Sequence, residues 1–237
     1  MFFLPKGTPL FENIDVSKRR LPDILDKLGS TDFTGYAIFV FTSFTTLMVF
    51  ETGQLLLVRL EEQSGVCLAS LDALITLAGR MQSSDNNTMS AYKLSKELCA
   101  RVRALLRGEA LYRGEELKAL NMRSLLEKIK EDRISGCLRA YTDDRSSLIF
   151  YNDGNPLGFF HDGSFDMETS ASESQRIASL PGARVDLFAN QGEEAVMEID
   201  LLEIIDTQKI WELVRARNQV ETAFEHPGEF GGGQGDR

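Results

Sequence analysis

A chain of 237 residues with 43% hydrophobic and 26% charged side chains has a globular make-up, with enough material for one large domain or two ordinary ones and for a core that needs no staples. Its 36 acidic residues against 26 basic ones, a formal net charge of -10, repel a phosphate backbone, so general nucleic-acid binding is disfavoured. Three widely separated cysteines, Cys67, Cys99 and Cys137, form no Cys-x-x-Cys pair, which removes zinc-ribbon and thioredoxin-like readings and leaves buried free thiols in a reducing compartment.

The first twenty residues lack the apolar core of a signal peptide. A short amphipathic helix is expected next, its stripe made by Leu21, Ile24, Leu25 and Leu28, with Pro22 in the first turn and Gly29 as a stop. The most hydrophobic stretch follows, residues 36–58. It is broken by Thr42, Ser43, Thr45, Thr46, Glu51 and Gly53, so it reads as strands over 36–41, 46–50 and 55–60 and not as a membrane span. Loops this short favour a three-stranded antiparallel meander. A helix over 66–78, a strand over 91–94 and a helix over 97–106 complete the first half. Arg101, Arg103 and Arg107 on that last helix read as a solvated basic face.

The same order then returns. Leu125, Leu126 and Ile129 mark a helix; strands are expected over 137–141, 148–151 and 157–161; a helix over 171–180, a strand over 184–189 and a helix over 201–217 follow. The two halves align without a gap from Leu21 and Met122, placing Gly35 on Gly136, Gly53 on Gly154, Leu25 on Leu126 and Leu47 on Leu148. The expected fold is therefore α+β: two tandem repeats, each a helix followed by a three-stranded antiparallel meander and a helix–strand–helix segment. The units span 1–112 and 113–225, and a flexible glycine-rich tail occupies 226–237. Gly35, Gly53, Gly136 and Gly154 read as structural turn residues. The strands of the first unit are near-continuous apolar runs, which predicts burial of both sheet faces, the second covered by the other repeat or by a dimer partner.

The segments FTGYAIFV with VFETGQLLLV, and ISGCLRAY with FYNDGNPLGFF, share a leucine-rich helix, a Thr-Gly or Ser-Gly step, a strand and an apolar hairpin closed by a glycine. In this the chain resembles the PATAN-type domain, found at the N-terminus of PatA-like bacterial response regulators. The likeness covers most of 21–112 and, more weakly, 122–217. It implies a protein-interaction or adaptor module of bacterial signalling or surface motility, and it supplies no catalytic residues. No receiver-like segment follows, so a phosphorelay role would act through a separate partner.

Catalytic chemistry finds little purchase. Of two histidines, His226 lies in the glycine-rich tail and His161 sits in HDGSFD beside Asp162 and Asp166, a turn with solvated carboxylates before it is a metal site. Asp143-Asp144 and Asn152-Asp153 are turn residues. No phosphate loop or nucleophile elbow occurs, and a serine–histidine pair would have to recruit His161. Phe39, Phe41, Phe44 and Phe50 read as core in preference to a base-stacking surface. The expectation is a cytoplasmic, non-enzymatic module with no cofactor, no metal, no catalytic or cofactor-binding residue and no membrane insertion, whose partners are other proteins. A small-ligand sensor is the alternative.

Overall fold

The computed structural model describes residues 4–83, 87–189 and 199–225; the expected tail over 226–237 lies outside them. The chain opens with a strand, β1 (Thr8–Asp15), and continues through α1 (Leu21–Ser30), β2 (Gly35–Val40), β3 (Phe44–Glu51) and β4 (Gln54–Glu62). A short β5 (Cys67–Ala69), then α2 (Ser70–Ser83), β6 (Thr88–Lys93) and α3 (Lys96–Arg107) complete the first unit. The second runs through β7 (Glu109–Glu116), α4 (Met122–Glu131), β8 (Gly136–Tyr141), β9 (Ser146–Asn152), β10 (Asn155–His161), α5 (Ser172–Ala178) and β11 (Arg184–Ala189). It ends with α6 (Leu201–Ile204) and α7 (Thr207–Glu225).

The strands form two antiparallel sheets, ordered β1-β6-β2-β3-β4-β5 and β10-β9-β8-β11-β7. Apart from β5, both have one plan: a leading strand, the trailing strand, then the meander. The leading strands β1 and β7 are absent from the sequence reading. Each sits at a sheet edge, mostly exposed, and is interrupted by bulges. Residues 109–112, assigned by sequence to the first unit, belong to β7 and pair in the second sheet. The expected helix over 66–78 starts later, at Ser70, because Cys67–Ala69 is taken up as a strand against β4. The expected helix over 201–217 is two helices. Asp200 caps α6 by accepting from Leu202 N, and Asp206 accepts from Lys209 N at the start of α7.

The glycine motif resolves into one local device built twice. Thr52 and Gly53, at φ 52° and 81°, make a two-residue hairpin turn of the mirror-image type, as do Asp153 and Gly154 at φ 49° and 76°. Gly53 N donates to Phe33 O at 2.9 Å, and Gly154 N to Ile134 O at 3.1 Å. The Thr34 hydroxyl accepts from Thr52 N at 2.8 Å, and the Ser135 hydroxyl from Asp153 N at 2.9 Å. A Cβ on either turn glycine would strike the backbone of the preceding helix, at Gly29 or Lys130. Gly35 and Gly136 are not turn residues. They open β2 and β8, where a Cβ would collide with the carbonyls of Tyr92 and Phe188 on the neighbouring strands.

Three apolar layers hold the sheets. The outer face of the first sheet carries Phe39, Phe41, Phe44, Met48 and Phe50, packed under α1 and α2, so all four aromatic residues queried in the sequence are core. The same core takes Trp211 of α7 and, around it, Leu201, Leu202, Ile210 and Val214. The last helix thus follows the second sheet in sequence but packs on the first unit, against α2 and α1. Gln82 donates to the Trp211 carbonyl, Arg20 to Gln208, and Leu55 N to the Asp200 carboxylate. The inner faces of both sheets enclose α3: Tyr36, Leu47 and Val49 from one side, Cys137, Leu148 and Phe150 from the other, with Leu98, Cys99 and Val102 between. The second face of the first sheet is therefore covered by its own trailing helix and the other unit. The third layer lies under α4, with Leu125, Ile129, Leu138 and Val185 at its centre. Among the described residues no helix is long and apolar enough to cross a membrane.

Candidate functional site

Both sheets place a bulge in the leading strand and must satisfy the amide it turns inward. In the first unit this is Asn13 N, at φ 49°, which donates to the Ser90 hydroxyl on β6 at 2.9 Å. In the second it is Gly114 N, at φ 71°, which donates to the Asp186 carboxylate on β11 at 2.6 Å. The register makes these equivalent positions, since Ser90 lies opposite Ile38 and Asp186 opposite Arg139, and Ile38 aligns with Arg139.

Around Asp186 the second unit departs from the first. Arg139 stands where the first unit has Ile38, and its guanidinium pairs with the other Asp186 oxygen. Tyr141 replaces Val40; its hydroxyl donates to Asp186 at 3.4 Å and its ring lies 4.1 Å under the Arg139 guanidinium carbon. Asp186 is 1% exposed and the Arg139 side chain 14%, so this is a buried ion pair with an aromatic floor.

The cluster borders a cavity of about 400 Å³ between the two sheets, at the C-terminal end of α3. The first unit supplies the opposite wall. Arg59 on β4 donates to the Leu106 carbonyl at 2.5 Å and to the Cys67 sulfur at 3.3 Å, and it pairs with Glu61 at 3.4 Å. Arg113 of β7 and Glu62 of β4 complete the charged lining, and Leu4, Leu105 and Phe188 give it apolar patches. None of these residues stands out in the sequence as a site. A signal was present in the aligned repeats, where apolar Ile38 and Val40 face charged and aromatic Arg139 and Tyr141; Arg59, Arg113 and Asp186 meet only through the tertiary fold.

The expected features are placed otherwise. Cys99 and Cys137 are buried free thiols, whereas Cys67 is exposed at the cavity wall, against the expectation that all three are buried. Burial pushes the Cys99 thiol up to about 12 and the Cys137 thiol higher still. Arg103 does not belong to a solvated face: its side chain is 12% exposed and reaches Glu51 at 3.7 Å. His161 does not meet the carboxylates of Asp162 or Asp166; of these two residues its Nδ1 reaches only the Asp162 backbone carbonyl, at 3.3 Å. Its Nε2 lies 2.8 Å from Glu168, and the Ser164 hydroxyl contacts its Nδ1 at 3.1 Å while donating to Glu168 at 3.0 Å. Hydrogen bonds from His161 and Ser164 hold the Glu168 carboxyl below its ordinary value. The carboxylate can only accept, so the Ser164 hydroxyl hydrogen is directed at Glu168 and away from the imidazole that a serine nucleophile would need as its base. Asp162 accepts from Lys6 N and Asp166 from the Ser95 hydroxyl, so this loop ties the second unit to the N-terminal segment and to the cap of α3. Among the described residues no group of three or more His, Cys, Asp or Glu side chains is placed to hold a metal.

Comparison of the chain with family models, with curated proteins and with solved structures finds no match.

Proposed function

We propose that the chain is a cytoplasmic, non-catalytic adaptor of the kind the PATAN-type resemblance implies, presenting surfaces to other proteins in bacterial signalling or surface motility. The observation that supports this is a set of exposed apolar side chains on the two helices packed together over the first sheet. Leu71 and Ile75 on α2 are 45% and 40% exposed, and Leu213 and Val220 on α7 are 62% and 54% exposed. Their spacings, four and seven residues, put each pair on one helix face. Apolar side chains grouped on helix faces that point outward are the usual mark of a contact surface. The test compares capture from a bacterial lysate by the wild-type chain and by a Leu213→Glu/Val220→Glu variant of equal melting temperature. A partner retained by the first and lost by the second is expected; identical captured sets contradict the reading.

The inter-sheet cavity favours a second reading, a small-ligand sensor without catalytic activity. Its walls come from both units, so an occupant would bear on how the units sit together.

A further inference from the structure

The cavity owes its chemistry to an ion pair that the fold does not require. The first unit meets the bulged amide with Ser90 and fills the flanking positions with Ile38 and Val40. The second meets it with Asp186, and then sets Arg139 and Tyr141 around the buried charge. A buried ion pair is commonly no more stabilising than apolar residues of like volume. Stability therefore does not account for the exchange, and the changed residues all face the same cavity.

The charges on the two walls are of opposite sign in surplus. On the second-unit wall, Asp186 is fully engaged: one oxygen accepts from Gly114 N and the Tyr141 hydroxyl, the other from Arg139. Arg113 adds a further cation there and is exposed, with no ion-pair partner among the described residues. On the first-unit wall Arg59 is tied to Glu61, Cys67 and the Leu106 carbonyl, and Glu62 adds a further anion, whose carboxylate accepts a hydrogen bond from the Ser64 hydroxyl. The C-terminal end of α3 reaches the same wall, where its Leu106 carbonyl is already taken by Arg59 and its Leu105 carbonyl by Gly108 N. A complementary ligand carries an anionic group for one wall and a cationic group for the other, with an apolar body for Leu4, Leu105 and Phe188. About 400 Å³ suits a molecule of that size.

We propose that this cavity binds a zwitterion of the α-amino acid class, its carboxylate toward Arg113 and Arg139 and its ammonium toward Glu62. The proposal rests on the sensor reading and gives it a ligand chemistry. Calorimetric titration of the full chain with L-phenylalanine and L-leucine tests it. 3-Phenylpropionate and phenethylamine serve as probes that each lack one charge. Saturable binding of at least one amino acid is expected, with both single-charge probes weaker by about tenfold or more, the loss of one charged hydrogen bond. Arg113→Gln, at an exposed position, and Glu62→Gln, at a half-buried one, should each weaken the amino acid by a similar factor at unchanged melting temperature. No saturable binding of either amino acid overturns the proposal. So does equal binding of 3-phenylpropionate, which would leave an anion sensor standing, and so does an affinity unmoved by Arg113→Gln. The sensor reading has its own readout: amino-acid binding that leaves lysate capture unchanged would sink that reading and keep the site.

Discussion

The two sheets share a strand order, yet they are covered differently. The first is enclosed on its outer face by α1 and α2 and by the last two helices of the chain, and on its inner face by α3. The second shares α3, and among the described residues its outer face carries α4 and the seven-residue α5. The difference lies in the helices after the trailing strands. After β6 the chain makes α3 and stays on its own sheet. After β11 it makes α6 and α7, which cross to the other unit and put Trp211 in its core. A repeat of this kind can keep its strand plan while its peripheral helices fasten one copy to the other. The hairpin device is the part that stays constant, because the same hydroxyl and glycine contacts close both copies.

The largest expected effects separate equivalent positions. Asp186→Ala leaves the Arg139 charge buried and unmatched and should cost about 3–5 kcal/mol, whereas Ser90→Ala at the matching position should cost about 1 kcal/mol. Transplanting the first unit's residues, Arg139→Ile with Asp186→Ser, should leave stability unchanged or raised. Denaturant melts of the four proteins decide this, and a double variant weaker than Asp186→Ala would show that the pair itself holds the second unit together. Trp211→Ala should cost about 3 kcal/mol or more by opening the first core, although the residue lies beyond the second sheet in sequence. A loss under about 1 kcal/mol would mean that α7 is not a structural part of the first unit.

Gly53→Val and Gly154→Val should be destabilising alike, by about 1–3 kcal/mol, because each forces a β-branched residue to positive φ against a helix backbone. A large effect at one turn and none at the other would break the equivalence of the hairpins. The smallest effect concerns pH. Burial holds the Cys99 thiol near 12 in the folded chain, against about 8.5 when unfolded. A raised folded pKa favours the protonated thiol, so this stability is fully present below about 8.5 and lost as pH climbs toward 12. At pH 8 a thiol reagent should modify Cys67 rapidly in the native chain and reach Cys99 and Cys137 only after denaturation. Rapid modification of all three would contradict the enclosed α3 layer.

The meander, its helices and its turn glycines were legible in the sequence because periodicity and turn chemistry are local. The strand over 184–189 is observed at those bounds. The leading strands were not legible: β1 and β7 are edge strands with bulges at Asn13 and Gly114, so their side chains do not alternate cleanly between core and solvent. The placement of α7 was hidden for another reason, since an apolar stripe says that a helix packs and not on what. The site was the least legible. Asp186 reads in sequence as an ordinary polar strand residue, and its burial follows only from β7 and β8 closing on either side of β11.

Between them α3 and α7 join the two units into one cooperative body. Trp211 is the single tryptophan and reports the first core, while Cys137 reports the layer between the sheets. Equilibrium unfolding followed by Trp211 fluorescence and, in parallel samples, by exposure of the Cys137 thiol in a chain carrying Cys67→Ser and Cys99→Ala measures both. One coincident transition is predicted. Two midpoints, with Cys137 exposed while Trp211 is still buried, would show that the second unit unfolds by itself and that the two units are not one cooperative body.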